Sequence, residues 1–169
     1  MDCAEVHPAC LPEDALAEAC EIRTTRRSGP GGQHRNKVET AVIVRHVPSG
    51  IEAEANEARS QAENRRKAIF RLRLRLALAV RCPAADAPSA LWTRRCPKGR
   101  IAVNPTHDDF PAMLAEALDQ LHDTGGQVAE AAQRLGCSGS QLTRFLKDEP
   151  VALKLVNTWR EQGGHRPLK

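Results

Sequence analysis

Arg26-Arg27-Ser28-Gly29-Pro30-Gly31-Gly32-Gln33-His34-Arg35-Asn36-Lys37 separates two stretches that read as β-strands. Its run of three glycines and a proline is one that no helix or strand interior tolerates, so the chain must leave the sheet here and come back. Upstream, Glu21 to Thr25 has strand character; downstream, a second strand runs from about Glu39 to Val47. Pro48-Ser49-Gly50 then suits a hairpin turn into a third strand, Ile51 to Ala55. Glycine reaches positive φ at no steric cost and lets a backbone approach another chain closely, while Pro30 limits the freedom of the same loop.

Outward from this segment the pattern turns helical. Ser60-Gln61-Ala62-Glu63 reads as a capping box opening a basic helix to about Val80. Arg71-Leu72-Arg73-Leu74-Arg75-Leu76 alternates with period two, but Ile69, Leu72, Leu76 and Ala79 keep helical spacing. Ala, Arg, Leu and Glu dominate and β-branched residues are nearly absent, which favours the helix. Residues 1 to 18 read as a loose N-terminal arm with one helical turn through Pro12 to Ala19. Pro83 to Pro88 reads as a linker, followed by a short basic stretch from Trp92 to Arg100 with few structural signals. A helix starting near Asp109-Phe110-Pro111 and three shorter ones near 128–135, 139–147 and 150–161 complete the chain. The expected fold class is α+β: a small three- to four-stranded, mostly antiparallel sheet with a packed basic helix and a long loop, then an all-α helix-turn-helix-like bundle. The expected units are residues 1–82, a basic linker 83–108, and a C-terminal helical unit 109–169.

Charge is segregated along the chain. Residues 23–100 hold 18 Lys/Arg against six Asp/Glu, whereas residues 1–22 carry −6 and residues 101–169 carry −2. A basic block with acidic flanks points to a polyanionic partner, RNA or DNA phosphate, contacted mainly by the first half. The chain has no Tyr and only 3% aromatic residues, which leaves little for base stacking. Acidic Asp2 and Glu5 stand where a signal peptide would be basic, and no apolar run approaches a membrane span, so a cytoplasmic protein is expected. Six cysteines without a C-x-x-C pair suggest free thiols and neither a zinc nor a redox motif.

At the tip of the loop, Gln33 is an amide, which neither ionises nor attacks at neutral pH. It can position and polarise. Such a neutral tip suits a reaction whose other components come from the partner, such as attack of water on an activated ester. Flanking Arg26, Arg27, Ser28, His34, Arg35, Asn36 and Lys37, with Arg59, Arg65, Arg66 and Lys67 on the following helix, are candidate RNA contacts. The residues alone support an RNA-inserting loop and no more.

Ser28-Gly-Pro-Gly-Gly-Gln-His-Arg-Asn36, Ala41-Val42, His46-Val-Pro-Ser-Gly-Ile51 and Arg59-Ser-Gln61 together resemble the catalytic domain of class I peptide-chain release factors and of the small codon-independent ribosome-rescue hydrolases. The resemblance covers roughly Cys20 to Val80. It implies that Gly31, Gly32 and Gln33 enter the peptidyl-transferase centre of the ribosome and promote hydrolysis of the peptidyl-tRNA ester. The Gln33 backbone N–H would stabilise the developing oxyanion while its side chain orients the attacking water. Ribosomal RNA and the tRNA ribose would supply the remaining groups, so neither metal nor cofactor is required. The family's glutamine is often N5-methylated, which implies modification of Gln33 by a glutamine methyltransferase. Arg35, where the family usually has an apolar residue, and Val38, where it often has Thr, depart from the pattern at the loop's exit.

A second Gly-Gly-Gln, Gly125-Gly126-Gln127, has acidic neighbours and reads as the junction of two helices. Beyond it, Ala132, Gly136, Leu142 and Phe145 stand at helix-turn-helix spacing. Ser138, Ser140, Gln141, Thr143, Arg144 and Lys147 could then face nucleic acid, with Arg94, Arg95, Lys98 and Arg100 as further candidate contacts. A bundle that packs on the ribosome or on the first unit is the equal alternative. No stretch is patterned as a codon-recognition domain, so a monomer that releases peptide without reading a stop codon is expected. The competing readings are a helix-turn-helix regulator and a ribosome-binding module without catalysis.

Overall fold

The computed structural model describes residues 6–25 and 40–169. Three strands, β1 (Cys20–Thr25), β2 (Ala41–His46) and β3 (Glu52–Ala55), form an antiparallel sheet in the order β1-β2-β3. The hairpin between β2 and β3 closes at Gly50, whose φ of +70° is open to glycine and costly for other residues. One face of the sheet, through Val42, Val44, Ala53 and Ala55, is buried under helix α2 (Gln61–Ala79). A short helix α1 (Glu13–Glu18) precedes β1, and the chain is α+β as expected.

Helix α2 resolves the period-two ambiguity. Ala68, Ile69, Leu72, Leu76 and Ala77 form its buried stripe, so the helical spacing sets the packing, but Ala79, placed on that stripe by its spacing, is exposed at the last turn. The alternating arginines have a separate use. Arg71 and Arg75, one helical turn apart, donate to the backbone carbonyls of Glu54 and Glu52 on edge strand β3. Four helical residues rise about 6 Å and two strand residues about 6.6 Å, so the two spacings match. The free carbonyls of a sheet edge are thereby covered. Ser60 caps α2 by accepting from the Glu63 N–H, but the Glu63 carboxylate pairs with Lys67 at 2.9 Å rather than completing a capping box.

From residue 6 onward the N-terminal arm is packed, not loose: His7, Ala9 and Leu16 are buried. Arg73 donates to the Ala9 carbonyl at 2.9 Å, tying the 3-10 turn Pro8–Cys10 to α2. A turn this short has no periodicity to betray it in the sequence. The stretch from Trp92 also carries more structure than its composition suggests. Helix α3 (Ala90–Arg95) buries Trp92 completely, and the indole N–H donates to the Leu135 carbonyl at 2.8 Å. Six residues are too few for a helical stripe, so only the packing reveals it.

Helices α4 (Phe110–Asp123), α5 (Val128–Arg134), α6 (Gly139–Lys147) and α7 (Pro150–Gln162) follow, close to the expected bounds. Helix α4 is buried nearly all round, Asp119 and Gln120 included, because it is central, touching α2 on one side and α5 and α7 on the other. One hydrophobic cluster consequently runs from Ala9 through the sheet and α2 to Val156. Gly125-Gly126-Gln127 forms the junction of α4 and α5: the Gly126 N–H donates to the Leu121 carbonyl and the Gly125 N–H to that of His122, a Schellman closure. Among the described residues no helix is long and apolar enough to cross a membrane.

Candidate functional site

Gly31, Gly32 and Gln33, with Arg26, Arg27, Ser28, His34, Arg35, Asn36 and Lys37, lie outside the described residues. What the structure fixes is the frame from which they depart. In the β1–β2 ladder Thr24 pairs with Val42 and Thr25 with Ala41, so the described residues on either side of segment 26–39 face one another on the last rungs. Register here is set by burial. Val42 and Val44 must face α2, and a slip of one residue would turn both to the solvent side.

A side chain that the sequence reading did not single out secures the re-entry point. Asn64, in the first turn of α2, is completely buried. Its amide nitrogen donates to the Thr40 carbonyl at 2.6 Å and to the Ala58 carbonyl at 3.0 Å, while its oxygen accepts from the Ala58 N–H at 2.8 Å. Three bonds to backbone commit both ends of the amide, so α2, the β3–α2 connection and the residue just after segment 26–39 form one unit. The only sequence signal was a polar residue on the buried face of a helix, at the spacing of Ala68, Leu72 and Leu76.

Around this frame the candidate RNA contacts are set out differently from one another. Arg59, Arg65 and Arg66 are exposed and make no ion pair among the described residues, whereas Lys67 is engaged by Glu63. In the C-terminal half, Arg95 binds Asp109 at 2.8 Å and reaches the His107 ring, and Arg94 lies 3.4 Å from the same carboxylate. Gln141 accepts from the Ile101 N–H at 3.3 Å. Lys98, Arg100, Ser140, Arg144 and Lys147 are exposed.

Among the described residues one group, His7, Cys82 and Asp119, brings three metal-ligand atoms within 4.8 Å of one another. Each is already engaged. The Ala9 N–H donates to His7 Nδ1, and Nε2 lies 3.2 Å from the Val80 carbonyl. Asp119 accepts from Arg81 at 3.2 Å and from the Cys82 N–H at 3.1 Å. Burial pushes the Asp119 carboxyl up to about 6 and the His7 ring down to about 4. With a guanidinium already against the carboxylate, the group works as a clasp between the N-terminal turn, the end of α2 and α4, not as a cation site. Burial also pushes the thiols of Cys10 and Cys137 up, to about 11 and about 12, which keeps both protonated and poor nucleophiles at neutral pH.

Residues 14–96 match the family model described as the RF-1 domain. Peptide chain release factor 1 of Xylella fastidiosa (strain 9a5c) is 34% identical over 150 residues, an alignment covering 74% of this chain and 42% of that protein. Peptide chain release factor 1 of Acidiphilium cryptum (strain JF-5) is 34% identical over 155 residues, covering 78% and 44%. The chloroplastic peptide chain release factor PrfB1 of Arabidopsis thaliana is 44% identical over 101 residues, covering 52% and 22%. The chain thus spans under half the length of these curated relatives. The matched region takes in β1, the whole of segment 26–39, β2, β3, α2 and α3.

Proposed function

We propose that this chain, whose residues 14–96 match the RF-1 domain model, hydrolyses the peptidyl-tRNA ester on the ribosome. The observation that supports the reading is the fixing of the residues that flank segment 26–39: Thr25 and Ala41 pair on the last rung of the ladder, and the buried Asn64 holds Thr40. A loop that must present one backbone N–H to a developing oxyanion gains from a rigid base, because a small displacement of the donor forfeits most of its effect.

In this reading Gly31 and Gly32 allow the backbone to approach the ester, the Gln33 N–H receives the oxyanion, and its amide orients water. The reacting nucleophile is that water; its proton leaves through groups of the ribosome and tRNA, and the ester oxygen departs on the tRNA ribose. Arg26, Arg27, Ser28, His34, Arg35, Asn36, Lys37, Arg59, Arg65, Arg66 and Lys67 hold the surrounding RNA phosphates. Residues 1–82 are the catalytic unit and 109–169 a helical unit joined through 83–108. A monomeric state, N5-methylation of Gln33 by a glutamine methyltransferase and a cytoplasmic site of action belong to the same reading. Its finer form is release with no stop codon in the A site.

Labelled peptide on purified ribosomal complexes tests this directly. Wild-type protein should release peptide from complexes with a truncated messenger and from those with a sense codon in the A site, and Gly32→Ala should slow release by about 10²–10³-fold. Equal release by both proteins, or none by wild type, refutes the assignment. Release confined to stop codons would refute the codon-independent form alone.

A further inference from the structure

Arg100, Arg144 and Lys147 are cations that the fold leaves unused. Several other basic side chains in this half of the molecule are committed, Arg134 to Asp123 and Glu130, Arg95 to Asp109, and Arg160 to the carbonyls of Gly126 and Arg166, while Lys98, Lys154, Arg166 and Lys169 are exposed but do not line this face. By contrast Arg100, Arg144 and Lys147 are exposed and enter no ion pair among the described residues. They also converge. Ser140, Arg144 and Lys147 occupy one stripe of α6, opposite the buried Leu142, Phe145 and Leu146. Arg100 arrives from a different element and lines a depression together with Gln141 and Arg144, with Asp148 at its edge. The stripe also floors a second, open depression of about 770 Å³ against the N-terminus of α5.

The fold fixes this convergence. Lys98 and Gly99 both have positive φ, at +53° and +75°, and a Cβ on Gly99 would lie 3.3 Å from the Gly136 carbonyl in the turn between α5 and α6. For lysine this backbone state is disfavoured, and it persists only where the surroundings enforce it. The Trp92 bond to Leu135 and the Gln141 bond to Ile101 hold residues 92–101 against the helix pair on either side of that turn. Arg100 is thereby carried to the outer face of α6.

We infer that this face, Arg100, Ser140, Arg144 and Lys147, docks on the phosphate backbone of ribosomal RNA. Charge complementarity favours a polyanion, since the face has three cations, two on the α6 stripe and Arg100 beside it, and a hydroxyl donor against one acid, Asp148. Magnitude separates RNA docking from autonomous DNA reading: stand-alone duplex binders neutralise about 6–10 phosphates, and three cations supply at most half of that. A second, weaker foothold suits a chain whose main basic block lies elsewhere. The choice of ribosomal RNA over other nucleic acids rests on the reading under Proposed function; the existence of the docking face does not. Arg94, Arg95 and Gln141, whose side chains hold the fold together, are not part of it.

Ribosome binding by the full chain, measured against monovalent salt, tests the inference. Arg100→Ala/Arg144→Ala/Lys147→Ala should flatten the plot of log affinity against log salt by about two to three units. Half-saturation of peptide release should rise at least about tenfold near 0.1 M salt, with the rate at saturation unchanged. Arg144→Lys should keep most of the affinity, and the paired control Arg134→Ala should keep the wild-type slope. A triple variant with wild-type affinity and slope overturns the inference. So does weakened binding with an unchanged slope, which marks a protein partner, or tighter binding of this face to duplex DNA than to ribosomes. Failure of the hydrolysis reading is distinguishable, because wild type would then bind with the predicted slope and release nothing.

Discussion

Replacing Asn64 by Ala removes the only described side chain that ties α2 to the point where segment 26–39 rejoins the sheet. Three hydrogen bonds are lost, to the carbonyls of Thr40 and Ala58 and from the Ala58 N–H, at 2.6, 3.0 and 2.8 Å. A hydrogen bond of this kind contributes about 0.5–1.5 kcal/mol net, and more where the abandoned partner stays out of water, so Asn64→Ala should cost about 2–4 kcal/mol. That is a large share of the roughly 5–15 kcal/mol by which such chains are folded. Asn64→Asp keeps the size and the bond from Ala58 N–H but sets a carboxylate oxygen against two carbonyls, and should cost at least as much. Urea unfolding should show a lower midpoint with an unchanged slope. Amide exchange should rise most in Val42, next to the released foot, before it rises in the middle of α2. On the proposed function, peptide release should fall in maximal rate more than in ribosome affinity, because the cations proposed to hold RNA are untouched. A loss below about 1 kcal/mol for both variants would refute the role given to Asn64.

The clasp of His7 and Asp119 makes a pH prediction with a definite sign. His7, lowered by burial to about 4, makes folding less favourable as pH falls from 6.5, because the unfolded ring takes up a proton that the folded ring refuses. Asp119, raised by burial to about 6 against 3.8 unfolded, acts oppositely: its contribution is fully present below 3.8 and lost as pH rises through 6. The two offset one another in wild type, and in Asp119→Asn only the His7 effect remains. The stability difference between the proteins, from denaturant midpoints, should therefore shift in favour of wild type by up to about 3 kcal/mol between pH 6.5 and 4. Parallel profiles would exclude it. Gly126 and Gly125 offer a steric contrast within the second Gly-Gly-Gln. A Cβ on Gly126 would sit 2.7 Å from Arg160 Cγ and 3.0 Å from its backbone nitrogen, whereas one on Gly125 meets nothing within 4 Å. Both have positive φ, so each alanine should cost about 1–2 kcal/mol, and Gly126→Ala about 1–3 kcal/mol more in thermal or urea unfolding. Equal losses would place the overlap elsewhere, and neither variant should alter the maximal rate of release.

Local chemistry is legible in a sequence when one residue type permits a conformation that others do not, or when a face repeats often enough to count. The α+β class, the hairpin at Gly50, most of the stripe of α2 and the helix pair around Gly136 were of that kind. A hydrogen bond between residues distant in sequence leaves no such mark. Asn64 looks like a polar residue spoiling an apolar stripe until Thr40 and Ala58 are seen beside it. Trp92 lies in a stretch that reads as linker until Leu135 supplies an acceptor, and His7 belongs to an arm that reads as loose until Val80 and Asp119 close over it. Charge behaved in the same way: the sequence counted the arginines, but only the folded chain shows that Arg71 and Arg75 cover a strand edge, that Arg95 grips Asp109, and that Arg144 is left free. Composition fixes how many cations a protein has; tertiary structure decides which of them already have a partner, because pairing depends on distance in space rather than along the chain.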